Sequence, residues 1–304
     1  MSTRSRTPSL RSLLFTLNGS IIPVIWRRVL YTVALSAIVV WMDVNVFSLR
    51  VGLNAAPLTL MGLTLAIFLG FRNTVAYQRW WEARTLWGEL IITVRNLARQ
   101  RGAWFPGADT ATSAALAHRL IGFAHALRHH LRGSDATNDL TPWLPDTECA
   151  MVLSAPNRPA EILNVTAVAY ASAGRDAASH AVILAAMDAE LGKLSHVLGG
   201  CERIKGTPIP YAYILLLHRT VHVYCFLLPF CLVGLMGWFT PVVVGVLAYT
   251  FFGLDALGDQ IEDPFDVMPN DLPLDAYCLT VQNELSGSLH RHGGHGQHCV
   301  NRRQ

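Results

Sequence analysis

Charged residues are scarce in this chain. Asp, Glu, Lys and Arg make up 15% of its 304 residues, whereas soluble domains carry about 25%. Hydrophobic residues make up 52%, and the mean hydropathy is +0.33. This composition excludes a disordered chain and an ordinary soluble enzyme, and it favours a membrane protein with a sizeable water-facing part. The small net charge of +3 gives no support for nucleic-acid binding.

Paired cysteine motifs and catalytic motifs are also missing. The six cysteines form no CxxC pair and show no zinc-finger spacing, so we expect reduced thiols that are buried or face lipid. Reduced thiols suit a protein that faces the cytoplasm. The sequence contains no HExxH, GxxxxGK[ST], GxGxxG, GxSxG or SxxK. The motifs therefore indicate no enzyme.

The C-terminal residues 286–304 are rich in glycine and histidine, which predicts a disordered tail. Imidazole and thiolate groups bind zinc or nickel, and the tail supplies His290, His292, His295, His298 and Cys299. Flexible glycines give these ligands no fixed geometry, so we expect no metal site and no cofactor. A membrane-bound metalloenzyme is an alternative that this tail alone supports.

Four apolar stretches are long enough to suggest membrane spans. They are 29–42, 51–71, 211–239 and 242–254. The first stretch extends back to residue 21 if the side chains of Arg27 and Arg28 snorkel to the membrane surface. Thr240-Pro241 predicts a tight turn between the last two. We therefore predict transmembrane helices 1 and 2 in 21–71, and helices 3 and 4 in 210–254. A signal peptide is the alternative for the first stretch. However, the small residues that could mark a cleavage site lie in the middle of the apolar run and not after it.

Basic residues predict the orientation of these spans. Five arginines precede residue 29, and only Arg50 lies between the first two spans. We expect a multi-pass protein of the inner (plasma) membrane with both termini cytoplasmic. Residues 1–20 would be an N-terminal cytosolic segment, 72–209 a cytosolic helical domain and 255–285 a C-terminal cytosolic segment.

The central region has alanine-rich sequence with apolar residues at helical spacing, which predicts an all-α protein. We expect the second span to continue as a helix over 73–101. Gly, Pro, Asp and Asn mark loops at 102–110, 133–147 and 155–159. Further helices are predicted near 112–132, 160–171, 176–200 and 274–285.

Small residues recur every fourth position on the second span, at Gly62, Ala66 and Gly70. This spacing lets helices approach closely in lipid. Bulky residues follow one position later, at Leu63, Ile67 and Phe71. We expect the small residues to pack helices near a pore and the bulky stripe to form a hydrophobic constriction on the axis of a symmetric ring. The alternative is that the bulky stripe faces lipid.

Four acidic residues after the last span share one face of a helix, namely Asp255, Asp259, Glu262 and Asp263. They predict either an acidic vestibule that attracts cations or a clamp, and a salt-bridged face is the alternative. Arg219 lies within the third span, where an arginine is costly. We expect it to snorkel or to pair with a carboxylate such as Glu82 or Asp255.

Several motifs resemble those of the bestrophin family, and especially its bacterial branch. They lie in the same order over about residues 20–285, at 67–73, 77–84, 86–90, 200–204, 207–210, 217–220 and 262–265. Two departures stand out. The acidic run that clasps calcium in the animal members is absent from 266–271, and Trp104-Phe105-Pro106 replaces the Arg-Phe-Pro signature. We therefore expect no calcium dependence.

The resemblance implies a homopentameric ion channel with one axial pore, surrounded by membrane lipids. It places the pore neck at Leu63, Ile67 and Phe71 and a cytosolic aperture at Val182 and Ile183. It implies passive flow of monovalent ions. Bacterial members of the family resemble cation channels for ions such as sodium, which the acidic residues also favour, whereas animal members resemble chloride channels. A secondary transporter and a membrane scaffold are further alternatives.

Overall fold

The structure is a computed structural model that describes residues 19–45, 55–104, 110–173 and 181–298. Within these ranges it contains helices and no strand, which confirms the all-α prediction for this part of the chain. We number the helices α1 Ile22–Asn45, α2 Ala55–Trp104, α3 Thr110–Arg132, α4 Thr137–Leu140, α5 Asp146–Ser154, α6 Arg158–Ala173, α7 Ala181–Gly206, α8 Tyr211–Met236, α9 Thr240–Glu262 and α10 Leu274–His298. A 3-10 turn, Gly237–Phe239, separates α8 from α9.

The chain divides into two compact units. The first contains residues 1–80, 208–264 and 268–270, and the second contains residues 81–207, 265–267 and 271–304. Helix α2 contributes its residues up to Trp80 to the first unit and the rest to the second. The prediction that the second span continues as a long helix beyond its apolar part is confirmed.

The first unit is built on four apolar helical segments. Helices α1, α8 and α9 pack against one another, and α2 adds Leu58, Leu65 and Leu69 to their buried core. Three helical stretches are long and apolar enough to cross a membrane: Ile22–Asn45 with 24 residues, Ala56–Ala103 with 48, and Tyr211–Glu262 with 52. The third of these stretches contains both α8 and α9.

Helices α8 and α9 form an antiparallel hairpin. Going along α8, His218, His222 and Tyr224 contact residues progressively earlier in α9, which are Asp255, Phe252 and Phe251. The turn lies at Gly237–Phe239, slightly before the predicted Thr240-Pro241. Gly237 has a φ of +50°, which glycine adopts readily, and Pro241 lies in the first turn of α9, where its missing N–H is harmless.

The second unit is organised around α3. This helix packs against α4, α6, α7 and α10, and its residues 121–128 are all buried. Near its C-terminal end, Arg128 Nη1 lies 2.8 Å from Asp275 Oδ1. Arg132 Nη1 lies 2.9 Å from the other oxygen of the same carboxylate. These ion pairs tie α3 to α10.

Two short helices, α4 and α5, lie within or next to segments that the sequence predicts as loops. Asp135 Oδ1 accepts a hydrogen bond from Thr137 N at 3.3 Å at the start of α4. Two acidic residues, Asp146 and Glu148, occupy the first turn of α5, where their negative charges interact favourably with the positive end of the helix dipole and stabilise the helix. Such short helices lack the long apolar periodicity by which the sequence predicts helices.

The ends of the two long helices in the second unit also differ from prediction. Helix α7 runs to Gly206, beyond the predicted end at 200, and its predicted start at 176 lies outside the described residues. Helix α10 runs to His298, so the structure is helical over 286–298, where the sequence predicts disorder. The first turns of α10 are anchored by buried Leu274, Cys278 and Val281. Because adding a residue to an existing helix is easier than nucleating a new helix, the anchored helix continues past its apolar part. Predictions for 1–18, 51–54, 105–109 and 299–304, including Cys299, also lie outside the described residues.

Candidate pore and its charged cluster

The predicted neck residues form an exposed stripe on α2. Leu63, Ile67 and Phe71 expose 60%, 48% and 62% of their surface in the single chain. Leu65 and Leu69 on the opposite side expose 2% and 0% because they enter the core of the first unit. The stripe therefore faces away from the chain's own core, towards whatever surrounds this helix.

The three small residues beside the stripe do not share one environment. Gly62 is buried, and a Cβ atom built there would lie 2.5 Å from the hydroxyl oxygen of Tyr224 on α8. A Cβ atom at Gly70 would meet nothing within 4 Å, and Ala66 is exposed. Gly62 thus serves packing within the chain, while Ala66 and Gly70 are open to an outside partner.

The predicted aperture residues lie in the first turn of α7, in the second unit. Val182 is exposed over 78% of its surface, and Ile183 is half-buried. An exposed valine at the start of a helix does not stabilise the core of its own chain. A pore role for these two residues stays a prediction.

A buried arginine follows the neck stripe directly. The Arg72 side chain is 0% exposed, and its Nη1 atom lies 3.0 Å from Oδ1 of Asp255, whose side chain is also 0% exposed. Its Nη2 atom pairs with Asp259 and lies 3.5 Å from Oε2 of Glu262. One guanidinium on α2 therefore binds three carboxylates of α9, which lie at the spacing of one helical face.

Two further basic side chains reach the same carboxylates. His218 Nδ1 lies 2.6 Å from Asp255 Oδ2, and its Nε2 lies 3.4 Å from Asp259 Oδ1. Arg28 Nη1 on α1 lies 3.8 Å from Asp255 Oδ2. We call the six residues Arg28, Arg72, His218, Asp255, Asp259 and Glu262 the Arg72 cluster. It joins α1, α2, α8 and α9.

A glycine on α9 permits this close contact. A Cβ atom built at Gly258 would lie 2.5 Å from Oδ1 of Asn73 and 3.5 Å from Cζ of Arg72. Asn73 in turn donates from Nδ2 to the carbonyl oxygen of Leu254 at 3.1 Å. A side chain at position 258 would therefore force Asn73 or α9 to shift beside the cluster.

The structure changes the interpretation of the acidic residues. Asp255 is buried, and it pairs with Arg72, as do Asp259 and Glu262. These three residues therefore form the salt-bridged face that the sequence left as the alternative to a vestibule. Asp263 is half-buried just after the end of α9. The carboxylates of the cluster are thus largely neutralised, which weakens the case for a cation-attracting vestibule.

The two carboxylates expected as partners of Arg219 pair with other arginines, and the snorkelling alternative stays a prediction. Arg219 is exposed, Asp255 pairs with Arg72, and Glu82 pairs with Arg203 of α7 within the second unit. Arg72 directly follows the second apolar stretch, 51–71, and no sequence motif connects it with α9. Four acidic residues on one helical face are a signal that a cation must lie opposite, but 183 residues separate Arg72 from Asp255, and no periodicity connects them.

The cluster also contains potential metal ligands. The ligand atoms of His218, Asp255 and Asp259 lie within 4.8 Å of one another. A metal ion there would have to compete with the guanidinium of Arg72, which already compensates both carboxylates. We therefore treat this group as an ion-pair network and not as a metal centre.

Two of the sequence motifs meet in the second unit. A Cβ atom at Gly200 would lie 2.8 Å from Cδ1 of Leu86, so α7 and α2 approach closely there. The neighbouring Cys201 is buried, and this burial raises the pKa of its thiol to about 12. The motif around residue 200 is therefore a helix-packing element with an unreactive thiol.

Comparison with known proteins identifies the family. A family model described as bacterial and fungal bestrophin proteins matches residues 1–287. A voltage-dependent anion channel-forming protein of Mesorhizobium japonicum is 40% identical over 289 residues, which cover 93% of this chain and 90% of that protein. The Escherichia coli K12 protein YneE, which carries the same descriptive name, is 38% identical over 272 residues and covers 90% and 89% of the two chains.

Solved structures agree with this match. The crystal structure of a bacterial bestrophin homologue from Klebsiella pneumoniae is 38% identical in sequence and superposes with a TM-score of 0.82. The superposition covers 87% of this chain and 98% of the Klebsiella chain. The chain therefore belongs to the bestrophin family, whose members are membrane ion channels and not enzymes.

Proposed function

We propose that the chain assembles as a homopentamer and conducts monovalent ions passively through one axial pore in the inner membrane. The observation that carries this proposal is the exposed apolar stripe Leu63, Ile67 and Phe71, which the chain's own core leaves uncovered. In a ring of subunits this stripe lines the neck, and Val182 with Ile183 lines a second constriction on the cytosolic side.

The neck acts as a hydrophobic barrier. An ion that enters a narrow apolar segment loses hydration without gaining polar contacts, which is costly. Such a constriction gates by dewetting, so its width controls the current. No substrate-coupled conformational cycle is required, which favours a channel over the secondary transporter that the sequence left as an alternative.

The membrane topology that we propose has four crossings. Helices α8 and α9 contain 26 and 23 residues, and about 20 apolar residues cross a bilayer. Since the two helices form an antiparallel hairpin, the stretch Tyr211–Glu262 crosses twice. With α1 and α2 the proposed crossings number four, so both termini lie on the same side of the membrane, and the arginine distribution favours the cytoplasmic side.

Assembly depends on the open face of α2. Ala66 and Gly70 have space for a neighbouring helix, and small residues at this spacing support close helix packing in lipid. The similarity to the Klebsiella homologue supports an oligomer. Native mass spectrometry of the purified protein should show five copies, and a monomer that conducts no ions would favour the scaffold alternative.

The ion preference that we propose is for cations such as sodium. Although the Arg72 cluster is largely neutralised, the side chain of Asp259 stays 41% exposed, so one carboxylate near the neck remains in contact with solvent. An anion-selective channel is the second candidate, because curated relatives are named anion channel-forming proteins.

The test is a reversal potential. The purified protein is reconstituted in a planar bilayer under a NaCl gradient, with a protein-free bilayer as control. A reversal potential near the sodium equilibrium potential supports the cation proposal, and one near the chloride potential supports the second candidate. Flux that saturates and requires a counter-substrate would contradict a passive channel. Chelation of calcium should leave the current unchanged, because residues 266–271 lack clustered carboxylates.

A further inference from the structure

We propose that Arg27 on α1 and Arg219 on α8 bind the phosphate groups of anionic phospholipids at the cytoplasmic surface of the membrane. The inference rests on the proposed four-crossing topology and adds a specific lipid partner to it. It is drawn from the level at which the apolar helices of the first unit become charged, and from the surroundings of the two arginines at that level.

Each apolar helix of the first unit has a segment without Asp, Glu, Lys or Arg. These segments are 29–42 on α1, 55–71 on α2, 220–236 on α8 and 240–254 on α9. A charged residue directly adjoins each of them, namely Arg28, Arg72, Arg219 and Asp255. Because charged side chains are costly within the hydrocarbon core, each of these residues marks one end of the membrane-embedded part of its helix.

Contacts within the Arg72 cluster place these four ends at one depth. Asp255 lies 3.0 Å from Arg72 and 3.8 Å from Arg28, measured between side-chain oxygen and nitrogen atoms. His218 Nδ1 lies 2.6 Å from Oδ2 of the same aspartate. Arg219 follows His218 on α8, only about 1.5 Å further along the helix axis. The cytoplasmic edge of the hydrocarbon core therefore lies at this level on all four helices.

Two arginines at this level point away from the chain's own core. Arg27 and Arg219 are exposed, and neither forms an ion pair within the described part of the chain. The guanidinium carbon of Arg27 lies 5.5 Å from the ring centroid of Trp26. The preceding residues 1–18 contain no Asp or Glu. The positive charges of both arginines are therefore available to an anion from outside the chain.

An exposed apolar surface continues from each arginine into the membrane. Leu30 and Tyr31 follow Arg27 by three and four residues, so they share its helix face, and both are exposed. Val223 follows Arg219 by four residues and is exposed as well. An arginine above an apolar helix face fits a phospholipid, because the phosphate contacts the guanidinium while the acyl chains follow the helix. A free phosphate ion would use only the arginine.

The chemistry of the two sites favours a lipid with a net negative charge. Arginine presents a planar fork of donors that matches a phosphate group, and its long stem lets the charge reach the membrane surface. Tryptophan is enriched at membrane surfaces, and Trp26 beside Arg27 is exposed. The attraction of one basic residue to an anionic membrane surface corresponds to about a fivefold gain in affinity.

The experiment measures lipid binding by native mass spectrometry. Purified full-length protein in detergent is titrated with phosphatidylglycerol, which is anionic, or with phosphatidylcholine, which is zwitterionic. The wild type should bind phosphatidylglycerol about fivefold more tightly. Arg27→Gln and Arg219→Gln should each reduce this preference, and the double variant should lose it. Equal affinity of the wild type for both lipids, or a wild-type preference in the double variant, would overturn the proposal.

Two further variants serve as controls. Arg99 is an exposed arginine of the second unit, so Arg99→Gln should keep the wild-type preference. The double variant with Arg27→Lys and Arg219→Lys keeps both charges and should keep most of the preference. If the lysine variant loses the preference as fully as the glutamine variant does, the argument from charge is wrong.

Competition tests whether the bound partner is a lipid. Glycerol 3-phosphate has the phosphate without acyl chains, so at equal concentration it should not displace phosphatidylglycerol, and displacement would refute a lipid site. If the glutamine variants change the number of subunits but keep the lipid preference, the two arginines contact a neighbouring subunit and the proposal is wrong.

The outcomes separate this inference from the proposed function, because lipid binding is measured without a current. A protein that prefers phosphatidylglycerol but conducts no ions would keep the lipid sites and contradict the channel. A conducting protein without this preference would keep the channel and refute the lipid sites.

Discussion

Replacing Arg72 tests whether the cluster stabilises the fold of the first unit. In Arg72→Met the carboxylates of Asp255, Asp259 and Glu262 lose the guanidinium that they share. Breaking a buried ion pair by removing one partner costs about 3–5 kcal/mol, because a charge is left uncompensated. Both Arg72 and Asp255 have side chains that are 0% exposed, so solvent gives little compensation.

Removing the charge of the partner Asp255 should cost less stability than removing Arg72. In Asp255→Asn the guanidinium of Arg72 keeps Asp259 and Glu262 as partners, so we expect a loss of about 1–3 kcal/mol, typical of one hydrogen bond to a charged group. Arg72→Met leaves the Asp255 carboxylate with only His218 and Arg28 near it, and the double variant removes that buried carboxylate as well. The double variant should therefore be more stable than Arg72→Met alone.

The assay is thermal unfolding of the detergent-solubilised protein, compared at one scan rate because membrane proteins often unfold irreversibly. Arg203→Met is the matched control, since its pair with Glu82 has exposed fractions of 64% and 44% and such pairs contribute about 0–1 kcal/mol. The reasoning is refuted if Arg72→Met unfolds at the wild-type temperature. It is also refuted if the double variant loses the sum of the two single effects.

Three further predictions concern packing and titration. Gly258→Ala should destabilise the protein by about 1–3 kcal/mol, because its Cβ would lie 2.5 Å from Asn73 Oδ1. Gly192→Ala, at an open helical position, should instead be neutral or stabilising in the same unfolding assay. The hydrogen bond from His129 and the charge of Arg128 lower the pKa of Asp139. The contribution of Asp139 to the free energy of unfolding is therefore fully present above its unfolded-state pKa of about 3.9, and it is lost as the pH falls through the lower pKa of the folded state. An Asp139→Asn variant whose stability falls with acid as much as that of the wild type would contradict this. Burial raises the pKa of the Cys201 and Cys278 thiols to about 12, so mass spectrometry after maleimide treatment at neutral pH should find both unmodified in the folded protein and modified after denaturation.

The helices were predictable from the sequence because their signals are local. Apolar runs, helical spacing and the turn between α8 and α9 each depend on residues close together in the chain. The short helices α4 and α5 escaped prediction because they are too short for apolar periodicity and are marked only by local polar contacts and first-turn acidic residues. The four-residue spacing on the second span already indicates the neck stripe, with lipid contact as the alternative, whereas the aperture assignment comes from the family resemblance alone.

The partners of the charged residues were not predictable in the same way. The sequence showed that Asp255 and its neighbours share a helical face, but the choice between a free vestibule and a salt-bridged face depended on where α2 packs. Arg72 directly follows an apolar run, and nothing in the local sequence tells whether its side chain points inward. Only the packing of α2 on α9, which Gly258 permits, shows that its side chain points inward.

The most direct test of the proposed pore is the conductance of Ile67→Ala. Ile67 lies in the middle of the exposed stripe, so shortening it should widen the neck and lower the barrier to hydrated ions. Leu216→Ala is the control, because Leu216 is exposed to 62% on α8 and lies outside the stripe. We predict a larger single-channel conductance for Ile67→Ala and an unchanged one for Leu216→Ala. Wild-type conductance in a folded pentamer of Ile67→Ala would contradict the neck assignment.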